Sequence, residues 1–125
     1  MISYVYYMVR IPNWNRTSTL ALRRRRVALL RQLRVPRTLL RGSLVQQRLT
    51  CGKPQCRCHQ GKKHGPFYYL VRCLGPGKTL KFLLKRPVHR QQARRGIQAA
   101  RRFQQQLEQL IQLNTELLRR GDFLE

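Results

Sequence analysis

The pattern of hydrophobic and polar positions begins with an alternating segment. Ile2, Tyr4, Tyr6 and Met8 recur at every second position, and this period fits either a short β-strand or an unanchored arm. The pattern is too brief to define an element of the domain. We therefore assign residues 1–19 to an N-terminal extension.

The next segment, residues 20–41, predicts an arginine-rich helix. Residues 20–34 contain neither Gly nor Pro, they place leucines near one helical face, and the Thr-Ser-Thr run before them supplies N-cap side chains. Pro36 stops the helical pattern, while the basic segment continues to Arg41.

The central segment, residues 42–86, predicts a cysteine-rich loop followed by a β-hairpin. Residues 67–74 and 78–84 are rich in aromatic, branched and other apolar side chains, and they flank a Gly-Pro-Gly turn. Two such runs around a glycine-rich turn are typical of a hairpin. Residues 44–50 form a short segment that leads directly into Cys51.

A long helix is predicted over residues 87–121. Pro87 suits the first turn of a helix, no further Pro follows, and Gly121 offers a C-terminal stop. The second half of this helix carries an apolar stripe at Phe103, Leu107, Leu110 and Leu117, with Asn114 in the gap.

Two interpretations of this stripe are open. Residues 103–118 could self-associate, with Asn114 setting the register between two helices. Alternatively, the stripe folds back on the arginine-rich helix and Asn114 is exposed.

The charge of the chain points to a polyanionic partner. There are 27 Lys and Arg against 4 Asp and Glu, a formal net charge of +23, and the first 107 residues contain no carboxylate side chain. Self-repulsion at this density opposes compaction unless an anion is present, so nucleic acid is the expected partner and an anionic membrane surface the less favoured one.

No stretch approaches the roughly 18–20 apolar residues of a membrane span, and the hydrophobic opening is short for a signal peptide and lacks a basic region before it. We therefore expect a cytoplasmic protein without a membrane partner. In a reducing compartment, its cysteines are expected as metal ligands or free thiols.

A cluster of zinc-ligating residue types lies in the loop before the hairpin. Three cysteines and two histidines fall within 14 residues, and zinc takes four tetrahedral thiolate or imidazole ligands. Our assignment is Cys51, Cys56, Cys58 and His64. Cys73 and, less favourably, His59 are rivals for the fourth position, and free thiols or a redox pair without metal are the alternative for the cluster as a whole.

The candidate nucleic-acid contacts are cations of the first helix, the cysteine loop and the start of the last helix, together with one aromatic ring. Arg offers planar forks for phosphate and for stacking, and aromatic rings stack on unpaired bases. These residues are Arg23, Arg24, Arg25, Arg26, Arg31, Arg34, Lys53, Arg57, Lys62, Lys63, Tyr68, Arg90, Arg94 and Arg95. Exposed cations without a ligand, and aromatics that form the core beneath the loop, are the alternative reading.

The same composition argues against an enzyme. General acid-base and two-metal phosphoryl chemistry need carboxylates near the site, and none precedes Glu108. A zinc-activated water served by His59 or His89 would be the exception. We predict an α+β fold, in which a small zinc knuckle and a β-hairpin are flanked by the two helices.

The run CGKPQCRC followed by HGPFYYL resembles a family of small uncharacterised prokaryotic proteins of unknown function, often found in or near mobile genetic elements. The resemblance covers about residues 40–120 and implies the Cys, Cys, Cys, His pattern given above, with Cys73 peculiar to this chain. The expected function is that of a zinc-dependent nucleic-acid-binding accessory protein of a mobile-element or ribonucleoprotein assembly, alongside a transposase or another protein. The alternative is a non-catalytic protein-interaction module of a larger nucleoprotein particle.

Overall fold

The computed structural model describes residues 12–122 and has an α+β fold, which confirms the predicted class. Its elements are α1 (Thr19–Gln32), β1 (Ser43–Leu49), β2 (His64–Gly75), β3 (Lys78–Leu83) and α2 (Pro87–Arg119), with 3-10 turns at Trp14–Arg16 and Arg57–Gln60. The alternating segment at residues 2–8 lies outside the described residues. None of the helices within residues 12–122 combines the length and apolar character that crossing a membrane requires.

The described chain forms two compact units. The helical unit consists of residues 12–36 and 101–122, and the sheet unit consists of residues 37–100. Helix α2 contributes residues 87–100 to the sheet unit and its remainder to the helical unit.

Helix α1 begins at a polar cap and ends before a proline. The Ser18 hydroxyl accepts a hydrogen bond from the Ala21 backbone N–H at 3.2 Å, which satisfies one of the free amides of the first turn. The helix ends at Gln32 rather than at Arg34 or Arg41. Pro36 disfavours helical geometry at the residue before it, so the segment that follows α1 is not helical.

Leucines of α1 and α2 form the core of the helical unit. Leu22 and Leu29 pack with three leucines of α2, at 110, 113 and 117, and each fully buried leucine contributes about 1.5–3 kcal/mol. Leu110 and Leu117 of the stripe thus pack on α1, whereas Leu107 is exposed. Asn114 is half-buried rather than exposed, and its buried Oδ1 has no hydrogen-bond partner among the described residues.

The acidic residues at the end of α2 hold the helical unit together. Glu116 is buried and accepts hydrogen bonds from Arg119 at 2.8 Å and Arg120 at 2.9 Å. Arg120 also donates to the Trp14 carbonyl at 3.1 Å. Arg23 Nε donates to Asp122 Oδ2 at 2.7 Å. These carboxylates therefore neutralise cations of their own unit.

The sheet unit is built on three antiparallel strands in the order β1-β2-β3. The hairpin of β2 and β3 matches the pattern of the sequence, whereas β1 appeared there only as a short segment of no assigned structure. One face of the sheet packs against α2, because Leu70 and Leu84 cluster with Ala93 and Ile97 of that helix.

The segment between α1 and β1 passes very close to α2. The Leu40 backbone N–H donates to the Gly96 carbonyl at 3.2 Å, and a Cβ at Gly96 would lie 2.4 Å from the Thr38 carbonyl oxygen. Only glycine fits this crossing without a shift of the backbone.

Candidate metal centre and nucleic-acid interface

The loop between β1 and β2 carries the four candidate metal ligands. Cys51 lies just after β1, Cys56 and Cys58 lie at the start of the 3-10 turn, and His64 is the first residue of β2. Leu49 is paired with His64 in the sheet. The antiparallel pairing therefore brings the two ends of the loop, with Cys51 and His64, together at one end of the sheet.

The donor atoms are close enough to share one ion. The sulfurs of Cys51 and Cys58 are 3.6 Å apart, Cys56 Sγ is 3.2 Å from His64 Nε2, and all four donor atoms lie within 4.8 Å of one another. Ligands at about 2.0–2.3 Å from a tetrahedral centre are separated by roughly 3.3–3.8 Å. This Cys3His group could hold a metal ion.

The residue directly after His64, at the start of β2, must be a glycine. Gly65 has φ of +118°, and a Cβ there would lie 2.9 Å from the Gln47 carbonyl oxygen of β1. Both the backbone conformation and the close approach of β1 require glycine. This accounts in part for the His-Gly-Pro motif.

The environments of two thiols differ. A hydrogen bond from the Cys58 backbone, with further hydrogen bonds from Cys58, Cys51 and His64, lowers the pKa of Cys56 to about 6. Burial raises the pKa of Cys58. Cys56 is therefore largely a thiolate at neutral pH, which is the form that binds metal, while Cys58 supplies the buried side of the cluster.

Neither rival for the fourth position belongs to this group. Cys73 is exposed on β2, and its Sγ lies 3.5 Å from the Gly75 carbonyl oxygen. His59 Nε2 is engaged instead with the Lys53 carbonyl at 2.9 Å, so this histidine helps to close the loop.

The predicted cations of the helical unit lie along α1 and after it. Arg23 is paired with Asp122 and Arg26 is half-buried. Their neighbours are exposed, namely Arg24, Arg25, Arg31 and Arg34.

The predicted contacts of the sheet unit lie on α2 and on the loop between β1 and β2, which we call the metal loop because it carries the candidate ligands. Lys53, Arg57, Lys62 and Lys63 are exposed on the loop, and Arg94 and Arg95 are exposed on α2. Arg90 lies over the Tyr68 ring, 4.1 Å from its centroid.

Tyr68 packs against the core of the sheet unit instead of standing free. Strand alternation places Phe67 and Tyr69 on the opposite face, where Lys81 lies 4.5 Å from the centroid of the Tyr69 ring. The alternation of aromatic residues was visible in the sequence, but it did not indicate which face α2 covers. Lys81 and Tyr69 are thus candidate contacts that the sequence reasoning missed.

These observations define an α+β protein with a Cys3His candidate metal centre in the loop of a sheet. A domain of unknown function, DUF6788, is found at residues 19–75. The match covers α1, β1, the loop between β1 and β2, and the whole of β2. No curated protein and no solved structure matches the chain.

Proposed function

We propose that this protein is a zinc-loaded module that binds nucleic acid through the phosphate backbone. The observation that carries the proposal is the charge of the sheet unit. Residues 37–100 contain 15 Lys and Arg and no Asp or Glu, and all of these cations except Arg90 are exposed. A surface of one sign and this density attracts a polyanion and releases its counterions.

Two of the three described carboxylates are already paired within the helical unit. Glu116 and Asp122 are engaged by arginines of the helical unit. Arg outnumbers Lys in the chain by 21 to 6, and its planar fork fits the oxygens of a phosphodiester. These features favour nucleic acid over a lipid surface.

Zinc is the metal that best fits the donor set. Three thiolates and one imidazole are typical of structural zinc sites, and four protein ligands leave no open position for a substrate. The proposed role of the ion is to fold the loop that holds Lys53, Arg57, Lys62 and Lys63. The proposed activity is therefore binding rather than catalysis, since the sheet unit has no carboxylate for acid-base chemistry.

A binding surface without catalytic groups suits an accessory component of a mobile-element or ribonucleoprotein assembly. The resemblance of the cysteine motif to proteins found near mobile elements supports this role. The exposed Leu107, Ile111 and Leu118 of α2 are suited to a protein partner of the same assembly, such as a transposase or a second copy of the chain.

The test is the salt dependence of binding to DNA and RNA oligonucleotides, followed by fluorescence anisotropy. We expect tight binding at 50 mM NaCl and an affinity about a thousandfold weaker at 200 mM, as for a protein with six or more phosphate contacts. Replacing Lys62 and Lys63 with Gln should reduce the salt slope by about two. Absence of binding to both nucleic acids at low salt would contradict the proposal and favour the protein-interaction alternative.

A further inference from the structure

One face of the sheet is not covered by any element of the sheet unit that the structure describes. The register of the three strands and the alternation of their side chains place one set of residues on this face, which we call the open face. Its central members are Val45, Phe67, Tyr69, Val71, Lys81 and Leu83. None of them is buried and none belongs to a core cluster within the described residues, whereas Leu70 on the other face is only 6 % exposed.

The open face combines aromatic rings with a flexible lysine side chain. The Lys81 ammonium lies over the Tyr69 ring and donates a hydrogen bond to the Gln47 side-chain oxygen at 2.9 Å. Tyr69 is half-buried, but Lys81 is exposed, so the ammonium is held weakly over the ring, and base stacking on an aromatic ring is the stronger interaction. A base could therefore displace the ammonium, which would then be available for a phosphate.

Positive charge borders this face, and the sheet unit, residues 37–100, contains no carboxylate side chain. The metal loop lies at the end of the sheet where β2 begins, with Lys62 and Lys63 directly before His64. Lys78 lies at the start of β3, at the opposite end. A strand of nucleic acid laid across the face would meet cations at both ends and rings between them.

From this arrangement we infer that the open face stacks the unpaired bases of single-stranded nucleic acid, with Phe67 and Tyr69 as the stacking rings and Lys81 as a phosphate contact. The inference rests on the proposed function and deepens it. Bases in a duplex are stacked on each other and reach a protein ring only if the duplex is first unstacked, which costs free energy. The face therefore predicts a preference for single strands that charge alone does not.

The experiment compares oligo(dT) and oligo(rU) with a DNA duplex of the same number of phosphates. The double variant Phe67→Leu with Tyr69→Leu keeps apolar side chains but removes both rings. We expect its single-strand affinity to fall about tenfold or more, for DNA, RNA or both, while its duplex affinity stays within about twofold. Tyr69→Phe should bind single strands as the unchanged protein does, because the ring remains.

Phe82 supplies the matched control. It is 44 % exposed on the same sheet but is paired with Leu70, on the face that packs against α2, so Phe82→Leu should leave both affinities unchanged. Equal losses in the two leucine variants, or equal losses for single strands and duplex, would overturn the inference and leave the proposed function standing. Absence of binding to every probe would overturn both.

Photo-crosslinking of the unchanged protein gives a second measurement that does not depend on how the variants fold. Irradiation of the oligo(rU) complex should attach uridine at Phe67 or Tyr69. Attachment at Tyr68 or Phe82, with none at the open face, would contradict the inference.

Discussion

At the residue scale, three of the four cysteines of this chain differ in their environments. Cys58 is buried within the loop, Cys56 lies beside His64 and has a lowered pKa, and Cys73 is exposed on β2. Since a thiolate and a neutral imidazole are the metal-binding forms, the chemistry of the cluster depends on position in the fold and not on residue type alone.

The first prediction concerns the metal ligands. Cys58→Ser should reduce the zinc content of the purified protein from about one equivalent to well under half, because three remaining ligands bind far more weakly. Zinc is measured by atomic emission after exhaustive dialysis, and the fold by circular dichroism. Cys73→Ser is the control and should retain its metal. Equal zinc in both variants would show that Cys58 is not a ligand.

The second prediction concerns Glu116. Hydrogen bonds from Arg119 and then Arg120 lower the pKa of this carboxyl to about 2, against an ordinary value of 4.5. A carboxyl with a lowered pKa in the folded state stabilises it above its unfolded pKa, and that stabilisation is lost as pH falls through the folded value.

Glu116→Gln should therefore be less stable than the unchanged protein at neutral pH, and the difference should shrink between about pH 4.5 and about pH 2. Urea unfolding followed by Trp14 fluorescence reports on the helical unit, which contains the single Trp of the chain. Taking the difference between the two proteins removes effects common to both, such as metal loss in acid. A stability difference that stays constant down to pH 2 would show that the pKa of Glu116 is not lowered in this way.

At the element scale, α2 is fixed in the sheet unit by a contact with the segment before β1. In an exposed helix, replacing Gly with Ala stabilises by about 1 kcal/mol. At Gly96 the added Cβ would lie 2.4 Å from a backbone oxygen, and relief of such a clash costs about 1–3 kcal/mol or more.

Gly96→Ala should consequently destabilise the protein by roughly 1–2 kcal/mol, the opposite sign to that expected from helix propensity. Gln98→Ala, at an exposed position of the same helix, should be neutral or slightly stabilising. Urea denaturation monitored by circular dichroism measures both. A more stable Gly96→Ala variant would show that the crossing segment moves away at little cost.

The elements also show what the sequence could predict. Helix α1, the β2-β3 hairpin and α2 follow from local signals, namely a cap, a turn and a long run without Pro. Strand β1 lacks such a signal, since its residues Ser43–Leu49 become a strand by pairing with β2 across the metal loop. Leu113 was missed for a similar reason, because the true core positions 110, 113 and 117 depend on how α1 lies on the helix.

The four metal-ligand candidates could be proposed from residue type and spacing, because their chemistry is local to one loop. The open face of the sheet could not be predicted from the sequence. Alternation along β2 places Tyr68 and Tyr69 on opposite faces. Which of the two rings is covered depends on the packing of α2, whose Ala93 and Ile97 lie on the face that contains Tyr68.

At the scale of the whole molecule, the charge of +23 should make salt act in opposite directions on folding and on binding. Salt weakens the attraction of nucleic acid, but it also screens repulsion among the cations of the sheet unit. In the helical unit salt screens ion pairs such as Arg23 with Asp122, so repulsion and attraction there offset each other.

We therefore expect the temperature at which zinc is released, which reports on the sheet unit, to rise by several degrees between about 20 and 300 mM NaCl, since the Debye length falls below 10 Å in that range. The Trp14 fluorescence transition of the helical unit should shift less. The measurement is a thermal scan with a zinc indicator and Trp emission recorded together, in chloride alone because sulfate binds cationic sites. A zinc-release temperature that falls with salt would mean that attractive contacts outweigh repulsion in a unit whose 15 cations have no carboxylate of their own.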